Sequence, residues 1–366
     1  GVLFLGMGIT LLYYYEMIKI KSVEIVDYDK QNDKVSIDVY IDNKLPINIY
    51  CAISKEQDIE KLEFIKANNN ICNFNEVYEC GGGSAANAAF ILGKYKVDSY
   101  LGSMVGDDTF GNTIRKELEK VGVHTEYMEI AYEKRTALSY ILLNEKEKKR
   151  TILNVNKEKL VMKKTEFPMD PDLVLVDSFD YGASLSAFNK YANKITIIDA
   201  KIANSETIEL CKYAKYIIAS KDFASYVSGV KIDFNNPNSL VNCYSALLNK
   251  FPNRNIVVTL GDKGAMYLMD NQIKVMPGLK VNEVDATGAK DIFCGSFAYA
   301  ILKGYDIEKT VTFANIASGL SVVKIGGRTS IPEYDEIMKY FLQKYPDEGT
   351  IQKETPPVIA TEAGIK

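Results

Sequence analysis

Four short apolar segments constrain the fold of this chain more than any other feature of its sequence. Stretches with helical spacing separate the segments, which cover residues 172–177, 195–199, 216–219 and 255–259. Uninterrupted apolar runs of this length are typical of parallel strands that are buried on both faces. Strands that alternate with helices form βαβ units and join one parallel sheet. We therefore predict an α/β fold with a doubly wound, mostly parallel sheet that is flanked by helices.

Polar side chains occur where these predicted strands end. Asp177, Asp199 and Thr259 close three of the segments, and Asp285 belongs to a turn further along the chain. Ligands of open α/β sheets bind beyond the carboxyl ends of the strands. The sequence therefore predicts a functional site at this edge of the sheet.

The turn that contains Asp285 leads into an apolar helix. Gly288 and Ala289 let the backbone approach a ligand closely, and residues 292–302 have the pattern of a helix. The first turn of a helix presents unpaired N–H groups and partial positive charge, which suit a phosphate or a phosphoryl group in transfer. Asp291 has two interpretations here: it complements the helix dipole, or it takes a proton from a substrate hydroxyl.

The N-terminal part of the chain has a different pattern. Residues 2–5 resemble a buried strand, whereas residues 22–26, 34–41 and 47–50 alternate apolar and polar side chains. This alternation predicts strands with one wet face, and therefore a small accessory sheet inserted into the core. A helix is expected over residues 57–67.

A second pair of extended segments is predicted to complete the accessory sheet as a hairpin. We predict four parts: residues 1–15 and 75–345 form the α/β core, residues 16–74 form an inserted β-sheet lid, residues 130–157 contribute the hairpin to this lid, and residues 346–366 form a loose C-terminal tail.

Composition excludes several classes of function. The formal net charge is -4, whereas a general nucleic-acid binder needs a basic surface. The six cysteines show no CxxC spacing, so we expect reduced thiols, which are typical of a cytoplasmic protein. A single histidine, His124, argues against histidine-based metal or triad chemistry. Residues 1–15 are uncharged and apolar but shorter than a membrane span of about 20 residues, so we expect a buried strand and no membrane partner.

Three further small-residue segments accompany the turn at Asp285. They are Gly-Gly-Gly-Ser-Ala-Ala-Asn at residues 81–87, Thr-Leu-Gly-Asp-Lys-Gly at residues 259–264, and Gly-Gly-Arg-Thr-Ser-Ile-Pro at residues 326–332. In their order and spacing, the four segments resemble those of the ribokinase-like (PfkB) carbohydrate kinases. The resemblance extends over residues 82–332 and covers most of the chain.

This resemblance implies an ATP-dependent phosphotransferase that phosphorylates a primary hydroxyl of a sugar or sugar-like small molecule. It implies the role of catalytic base for Asp291. It also implies that the backbone of Gly288, Ala289 and Lys290 forms an anion hole for the transferring group. The expected cofactors are ATP and Mg²⁺, with K⁺ as a further candidate.

The resemblance also assigns binding residues. It implies that Gly82 and Gly83 lie at the lid hinge and that Asn87 contacts the sugar. It also implies that the nucleotide is bound by Thr259, Gly261, Gly264 and Asn315. The residues themselves leave two alternatives open. Gly261 and Gly264 also suit a plain hairpin turn, and Asn87 also suits the polar N-terminus of a helix.

Two acidic residues are the metal candidates. The loop near Asp285 and the Gly326-Gly327 segment resemble the parts of the family that hold a monovalent cation. Asp222 is the acidic residue expected to influence Mg²⁺, since residues 219–224 replace the family's Asn-x-x-Glu. Mg²⁺ needs few protein ligands when phosphates and water complete its shell.

Two departures from the family pattern bear on activity. Lys290 replaces a glycine. It costs about 1–2 kcal/mol if the position has a positive φ, and it fits if the backbone is helical. The first-strand aspartate that grips sugar hydroxyls aligns with Leu11 or Tyr13, and Asp38 is a candidate substitute.

These departures keep two alternatives to a sugar kinase open. A nucleoside kinase is one, because Gly6-Met7-Gly8 and the long insertion before Gly82 resemble adenosine kinases. A catalytically impaired binding protein on a kinase fold is the other. The lid sheet has an exposed face, so we also predict a homodimer that forms through it.

Overall fold

The strands of the protein belong to three sheets. The computed structural model describes residues 2–5, 11–17, 20–29, 34–41, 47–52, 74–144, 149–155, 160–163 and 166–348. In chain order the strands are β1 (Val2–Leu5), β2 (Leu11–Met17), β3 (Ile20–Asp29), β4 (Lys34–Ile41), β5 (Ile47–Ala52), β6 (Phe74–Gly81), β7 (Ser99–Gly106), β8 (Val123–His124), β9 (Met128–Ala131), β10 (Leu138–Asn144), β11 (Lys149–Val155), β12 (Leu173–Val176), β13 (Ile195–Ala200), β14 (Tyr216–Ser220), β15 (Asn255–Thr259), β16 (Ala265–Met269) and β17 (Gln272–Met276).

The helices lie mainly between the strands of the core. In chain order, the described residues contain α1 (Ser84–Lys94), α2 (Thr109–Lys120), α3 (Tyr181–Lys190), α4 (Ser205–Leu210), α5 (Lys221–Ser228), α6 (Pro237–Lys250), α7 (Ala289–Leu302), α8 (Ile307–Ser321) and α9 (Tyr334–Lys344). Side-chain caps open several of them, as where Asp180 accepts the N–H of Ala183 at the start of α3.

The central sheet confirms the predicted doubly wound, mostly parallel architecture. Its strand order is β17-β16-β15-β14-β13-β12-β1-β7-β8, with β9 paired to β7. The pairs from β15 through β7 are parallel, and β16 and β17 add an antiparallel edge. The first strand of the chain, β1, therefore lies inside the sheet between β12 and β7.

Helices cover both faces of this sheet. Leu173 and Leu175 of β12 pack with α1, α2 and α7–α9, whereas Val174 and Val176 pack with α3–α6 on the opposite face. Burial on both faces is the reason that these strands are continuously apolar instead of alternating.

The lid region differs from the single accessory sheet that the sequence predicted. Strands β3, β4 and β5 form one three-stranded antiparallel sheet, as their alternation indicates. The β10–β11 hairpin is also present, but it joins β2 and β6 in a separate four-stranded sheet in the order β11-β10-β2-β6. The prediction of one sheet was wrong because β2 pairs with β10, more than 100 residues away, in a parallel register that local patterns do not specify.

Residues 11–15 and 75–81, which the sequence placed in the core, form strands of this four-stranded sheet. The division into domains with the stated boundaries stays a prediction. The expected helix over residues 57–67, the Gly6-Met7-Gly8 turn and residues 349–366 of the expected tail lie outside the described residues.

Cys80, Cys211, Cys243 and Cys294 are buried free thiols, as expected for these four positions. Within the described ranges, no helix is both long and apolar enough to cross a bilayer.

Candidate active site

The predicted turn before α7 forms the base of the site. The helix begins at Ala289, three residues earlier than the sequence pattern indicated, and Gly288 is its N-cap with a φ of 75°. A side chain at Gly288 would also crowd Gly327, because an added Cβ would lie 3.0 Å from the Gly327 Cα. Glycine is therefore required here by both backbone angle and space.

Lys290 occupies the second position of α7, so the helical alternative applies. Its φ is not positive, and its side chain is exposed. The lysine therefore causes no backbone strain.

Asp291 lies in the first turn of α7, and two side chains from other elements hold it. The Asn87 Nδ2 donates to Asp291 Oδ2 at 2.7 Å, and the Lys201 ammonium forms an ion pair with Asp291 Oδ1. The Asp291 side chain is 13% exposed, so part of the carboxylate remains in contact with solvent. The carboxylate has a fixed orientation and an open side.

Asn87 connects this carboxylate to the end of the lid. Its side chain is buried and accepts a hydrogen bond from Arg328 Nε at 3.1 Å on its other end. Arg328 Nη1 pairs with Glu117 Oε2 at 2.6 Å, and the same oxygen accepts the N–H of Gly81 at 2.9 Å. Since Gly81 ends β6, a continuous polar chain joins the four-stranded sheet to Asp291.

The two hinge candidates stand between β6 and α1. Gly83 is the N-cap of α1 with a φ of 92°, and its carbonyl accepts the N–H of Asn87 at 2.8 Å. Gly82 precedes it and is buried. Asn87 itself caps nothing through its side chain, which contacts Asp291 and Arg328 instead.

Lys201 and two buried acids lie beside Asp291 at the carboxyl edge of the sheet. Lys201 Nζ is 2.8 Å from Asp199 Oδ2 and 2.9 Å from Ser84 Oγ. Burial alone would lower the pKa of Lys201, but the charges of Asp199 and Asp291 outweigh burial and raise it. Lys201 is therefore an ammonium across the physiological pH range.

The neighbouring acids have elevated proton affinity. Burial raises the pKa of Asp177 to about 7, although the N–H groups of Phe179 and Ala85 act in the opposite direction. Burial also raises the pKa of Asp199, against the lowering effect of Lys201. These carboxyls sit where the strand-end pattern predicted them.

The Asp285 loop is held by backbone amides. Asp285 Oδ1 accepts the N–H of Thr287 at 2.9 Å, and Oδ2 accepts the N–H of Gly326 at 3.0 Å. In the same loop as Gly326, the Ser330 Oγ is buried without a hydrogen-bond partner among the described residues. A buried hydroxyl without a partner, in a loop tied to Asp285, fits the proposed monovalent-cation site.

The nucleotide candidates lie together at the β15–β16 edge. Gly261 and Gly264 have φ values of 67° and 91°, and a side chain at Gly264 would overlap the Met276 carbonyl oxygen. Asn315 Nδ2 donates to that same oxygen at 3.3 Å, and Thr259 Oγ1 donates to the Ala219 oxygen at 3.3 Å. Both glycines belong to the turn that joins β15 and β16, so the hairpin alternative applies at these positions.

Asp222 follows Ser220, the register partner of Thr259, by two residues. It is exposed in the first turn of α5, directly after β14. No hydrogen bond or ion pair within the described residues connects it to Asp291. Among all the residues that the structure describes, no group of three or more His, Cys, Asp or Glu side chains is arranged to hold a metal ion.

Sequence reasoning missed Lys201, Arg328 and Glu117. Lys201 follows the strand-end residue Asp199 by two positions, which would have placed it at the same edge. Arg328 stands inside the recognised Gly326-Gly327 segment. No sequence signal indicates that Glu117, which lies 211 residues earlier in α2, is its partner.

A partly exposed carboxylate beside a glycine-opened helix N-terminus, at the carboxyl edge of a doubly wound sheet, is the arrangement expected of an α/β phosphotransferase. Comparison with known proteins identifies the class more closely. Residues 56–334 match the pfkB family of carbohydrate kinases, and this match covers more than half of the chain. The chain therefore belongs to the pfkB family of carbohydrate kinases.

Individual relatives agree with this assignment. Ribokinase from Bacillus subtilis (strain 168) is 27% identical over 266 residues, which cover 70% of this chain and 86% of that protein. The ribokinase structure from Thermotoga maritima has a TM-score of 0.63 at 20% identity and covers 93% of this chain and 99% of that one. Arabidopsis thaliana ribokinase, solved with ribose and ATP, has a TM-score of 0.65 at 18% identity and covers 93% and 98%. The structural matches support the ribokinase-like fold.

Proposed function

We propose that this carbohydrate kinase transfers the γ-phosphoryl group of ATP to a primary hydroxyl of a sugar, with Asp291 as the catalytic base. The position of Asp291 carries the proposal: it is partly exposed in the first turn of α7, and Asn87 and Lys201 fix its direction. The relatives named as ribokinases make pentoses the first acceptors to consider.

The proposed reaction transfers the phosphoryl group from ATP to the sugar in one step. The sugar hydroxyl oxygen bonds to the γ-phosphorus, the bond from this phosphorus to the β–γ bridging oxygen breaks, and ADP leaves. The hydroxyl proton passes to Asp291. Negative charge on the transferring group faces the first-turn N–H groups of α7, where Gly288, Ala289 and Lys290 would form the anion hole.

The Ala289 amide is held weakly in the structure. It donates to the Ala286 oxygen at 3.3 Å, which is a long hydrogen bond. A phosphoryl oxygen would replace this weak contact by a charge-assisted one. The Ala289 N–H thus gains more from the transferring group than it loses.

Mg²⁺ and K⁺ belong to the proposal through this chain's own residues. Mg²⁺, when bound, neutralises charge on the β- and γ-phosphates. Asp222 would contribute to the outer hydration shell of Mg²⁺. The two oxygens of Asp285 accept backbone N–H groups of two loops. Asp285, Gly326 and Ser330 would hold the monovalent cation and so keep the two loops together.

Three further proposals concern the whole chain. The accessory sheets act as a lid over the site, with Gly82 and Gly83 as the hinge, because an open site would let water take the phosphoryl group. The nucleotide lies along Thr259, Gly261, Gly264 and Asn315. The protein works in the cytoplasm, where ATP is available. Two copies pair as a homodimer through the accessory sheets of the lid.

An acceptor panel tests the proposed function. ADP release would be measured with MgATP and pentoses, hexoses, phosphorylated sugars or nucleosides, starting with D-ribose, for the native chain and Asp291→Asn. We expect release above the acceptor-free background with at least one sugar, and background only for Asp291→Asn. Release with nucleosides alone would replace the sugar by a nucleoside acceptor. Equal release from both proteins would remove Asp291 from the mechanism.

A further inference from the structure

Lys201 makes contacts that no motif of the sequence assigns. Its ammonium is 2.8 Å from Asp199 Oδ2, 2.9 Å from Ser84 Oγ and paired with Asp291 Oδ1. The residue follows the end of β13 and remains 24% exposed. It therefore links a buried acid of the sheet, the first residue of α1 and the proposed base in one cluster.

The Asp291 carboxylate keeps hydrogen-bonding capacity for a substrate. Lys201 occupies one site on Oδ1 and Asn87 Nδ2 occupies one site on Oδ2. A carboxylate has about four lone-pair directions, so each oxygen keeps one for a further donor. The two side chains thus fix the plane of the carboxylate without saturating it.

The charges around the pair are unequal. Asp199, Asp291 and the Cys294 thiol face Lys201, and burial raises the pKa of that thiol well above its usual range, so that it stays neutral. Asp291 faces Lys201 and, across Asn87, the buried Arg328, with Asp199 as the opposing anion. Lys201 is the cation in direct contact with Asp291.

We propose that Lys201 is a positioning residue for phosphoryl transfer: its ammonium, in contact with Asp291 Oδ1, holds the carboxylate in the orientation that receives the acceptor hydroxyl. The inference rests on the proposed role of Asp291 as the base. Orientation is decisive because phosphoryl transfer passes through a loose transition state in which orienting the hydroxyl matters more than early proton removal.

A competing interpretation is purely structural. Asp199 is only 3% exposed, and an unpaired buried carboxylate is costly, so Lys201 could serve Asp199 alone. The two interpretations differ when Asp199 is neutralised. If Lys201 serves only Asp199, the double variant Asp199→Asn with Lys201→Met no longer needs the ammonium.

The test measures kcat and the KM of the acceptor for Lys201→Met, Lys201→Arg and the double variant, using MgATP and the best acceptor of the panel, with thermal unfolding in parallel. We expect Lys201→Met to lower kcat about 100-fold while the KM of the acceptor changes little, because a misoriented base misplaces the reacting hydroxyl. Lys201→Arg restores a cation and should recover most of kcat. The double variant should regain thermal stability but keep the low kcat.

Two results would overturn the inference. One is recovery of native kcat in the double variant, and the other is a native kcat in Lys201→Met. Lys212→Met is the matched control, because this exposed lysine pairs with Glu209 outside the site and should leave kcat unchanged.

Failure of the proposed function gives a different result. If Asp291→Asn retains turnover, Asp291 is not the base and the inference falls with it. If Asp291→Asn is inactive while Lys201→Met has a native kcat, only the role of Lys201 is wrong. Should Lys201→Met not fold, the double variant and Lys201→Arg still decide the question.

Discussion

Asp285 and Asp291 lie six residues apart, yet their surroundings differ in kind. Backbone N–H groups of Thr287 and Gly326 hold the two oxygens of Asp285, which is 2% exposed. Side chains of Asn87 and Lys201 hold Asp291, whose side chain is 13% exposed. A buried carboxylate bound to backbone amides fixes loops. A reachable carboxylate oriented by side chains from other elements is equipped for chemistry.

The largest effect should follow from Asp291→Asn. The amide keeps the size of the side chain but cannot accept a proton, so we expect kcat to fall at least about 100-fold. The melting temperature should stay close to the native value, because the site is partly exposed. Steady-state assays at saturating MgATP and acceptor, with thermal unfolding in parallel, check both parts. A large fall in melting temperature would contradict this expectation, because Asp291 would then have the structural role that is assigned to Asp285.

Asp177 extends the comparison to pH. Its oxygens accept the N–H groups of Phe179 at 3.1 Å and Ala85 at 3.2 Å, as those of Asp285 accept backbone amides. Burial raises its pKa from 3.8 to about 7, so the folded state holds a proton that the unfolded chain releases. The associated stability is present below pH 3.8 and is lost as the pH rises to about 7.

We therefore expect native stability, relative to Asp177→Asn, to decline over this pH interval by on the order of 1 kcal/mol per pH unit. Denaturant unfolding of both proteins at several pH values measures the difference. Parallel pH profiles would show that Asp177 is ionised in the folded protein.

Asp285→Asn should act on stability first. The substituted side chain has one acceptor oxygen, so one of the two backbone N–H groups loses its partner, at a cost of about 1–3 kcal/mol. We expect a smaller loss of kcat than for Asp291→Asn, measured below the unfolding transition. Native stability combined with lost turnover would assign Asp285 to the chemistry and reverse the comparison.

The smallest effect should come from Lys290→Gly. The residue is helical and exposed, so glycine should cost only about 0.5–1 kcal/mol in stability. ATP affinity, measured by calorimetry, should be retained or improved. A strong loss of affinity would show that the lysine contacts the phosphates.

The sequence predicted the core better than the lid. Continuous apolar runs such as residues 173–176 specify strands buried on both faces, and the Gly288 turn specifies a helix N-terminus with Asp291 in its first turn. The pairing of β2 with β10 joins segments far apart in the chain, so no local pattern could assign them to one sheet.

The site was predictable at the level of motifs but not of contacts. Asp291 and Asn87 stand in recognisable segments, although 204 residues separate them, and only the folded chain shows that they share a hydrogen bond. Arg328, in the segment between α8 and α9, and Glu117, in α2, are 211 residues apart and form an ion pair. Side-chain direction depends on packing from several elements, which is why Lys201 emerged from the structure alone.

A single-turnover measurement tests the central claim most directly. Rapid-quench experiments at saturating MgATP and acceptor, with ATP affinity determined separately, would isolate the phosphoryl-transfer step in the native chain and in Asp291→Asn. We predict that this step slows at least about 100-fold while ATP affinity changes little. An unchanged transfer rate in Asp291→Asn would contradict the assignment of Asp291 as the base.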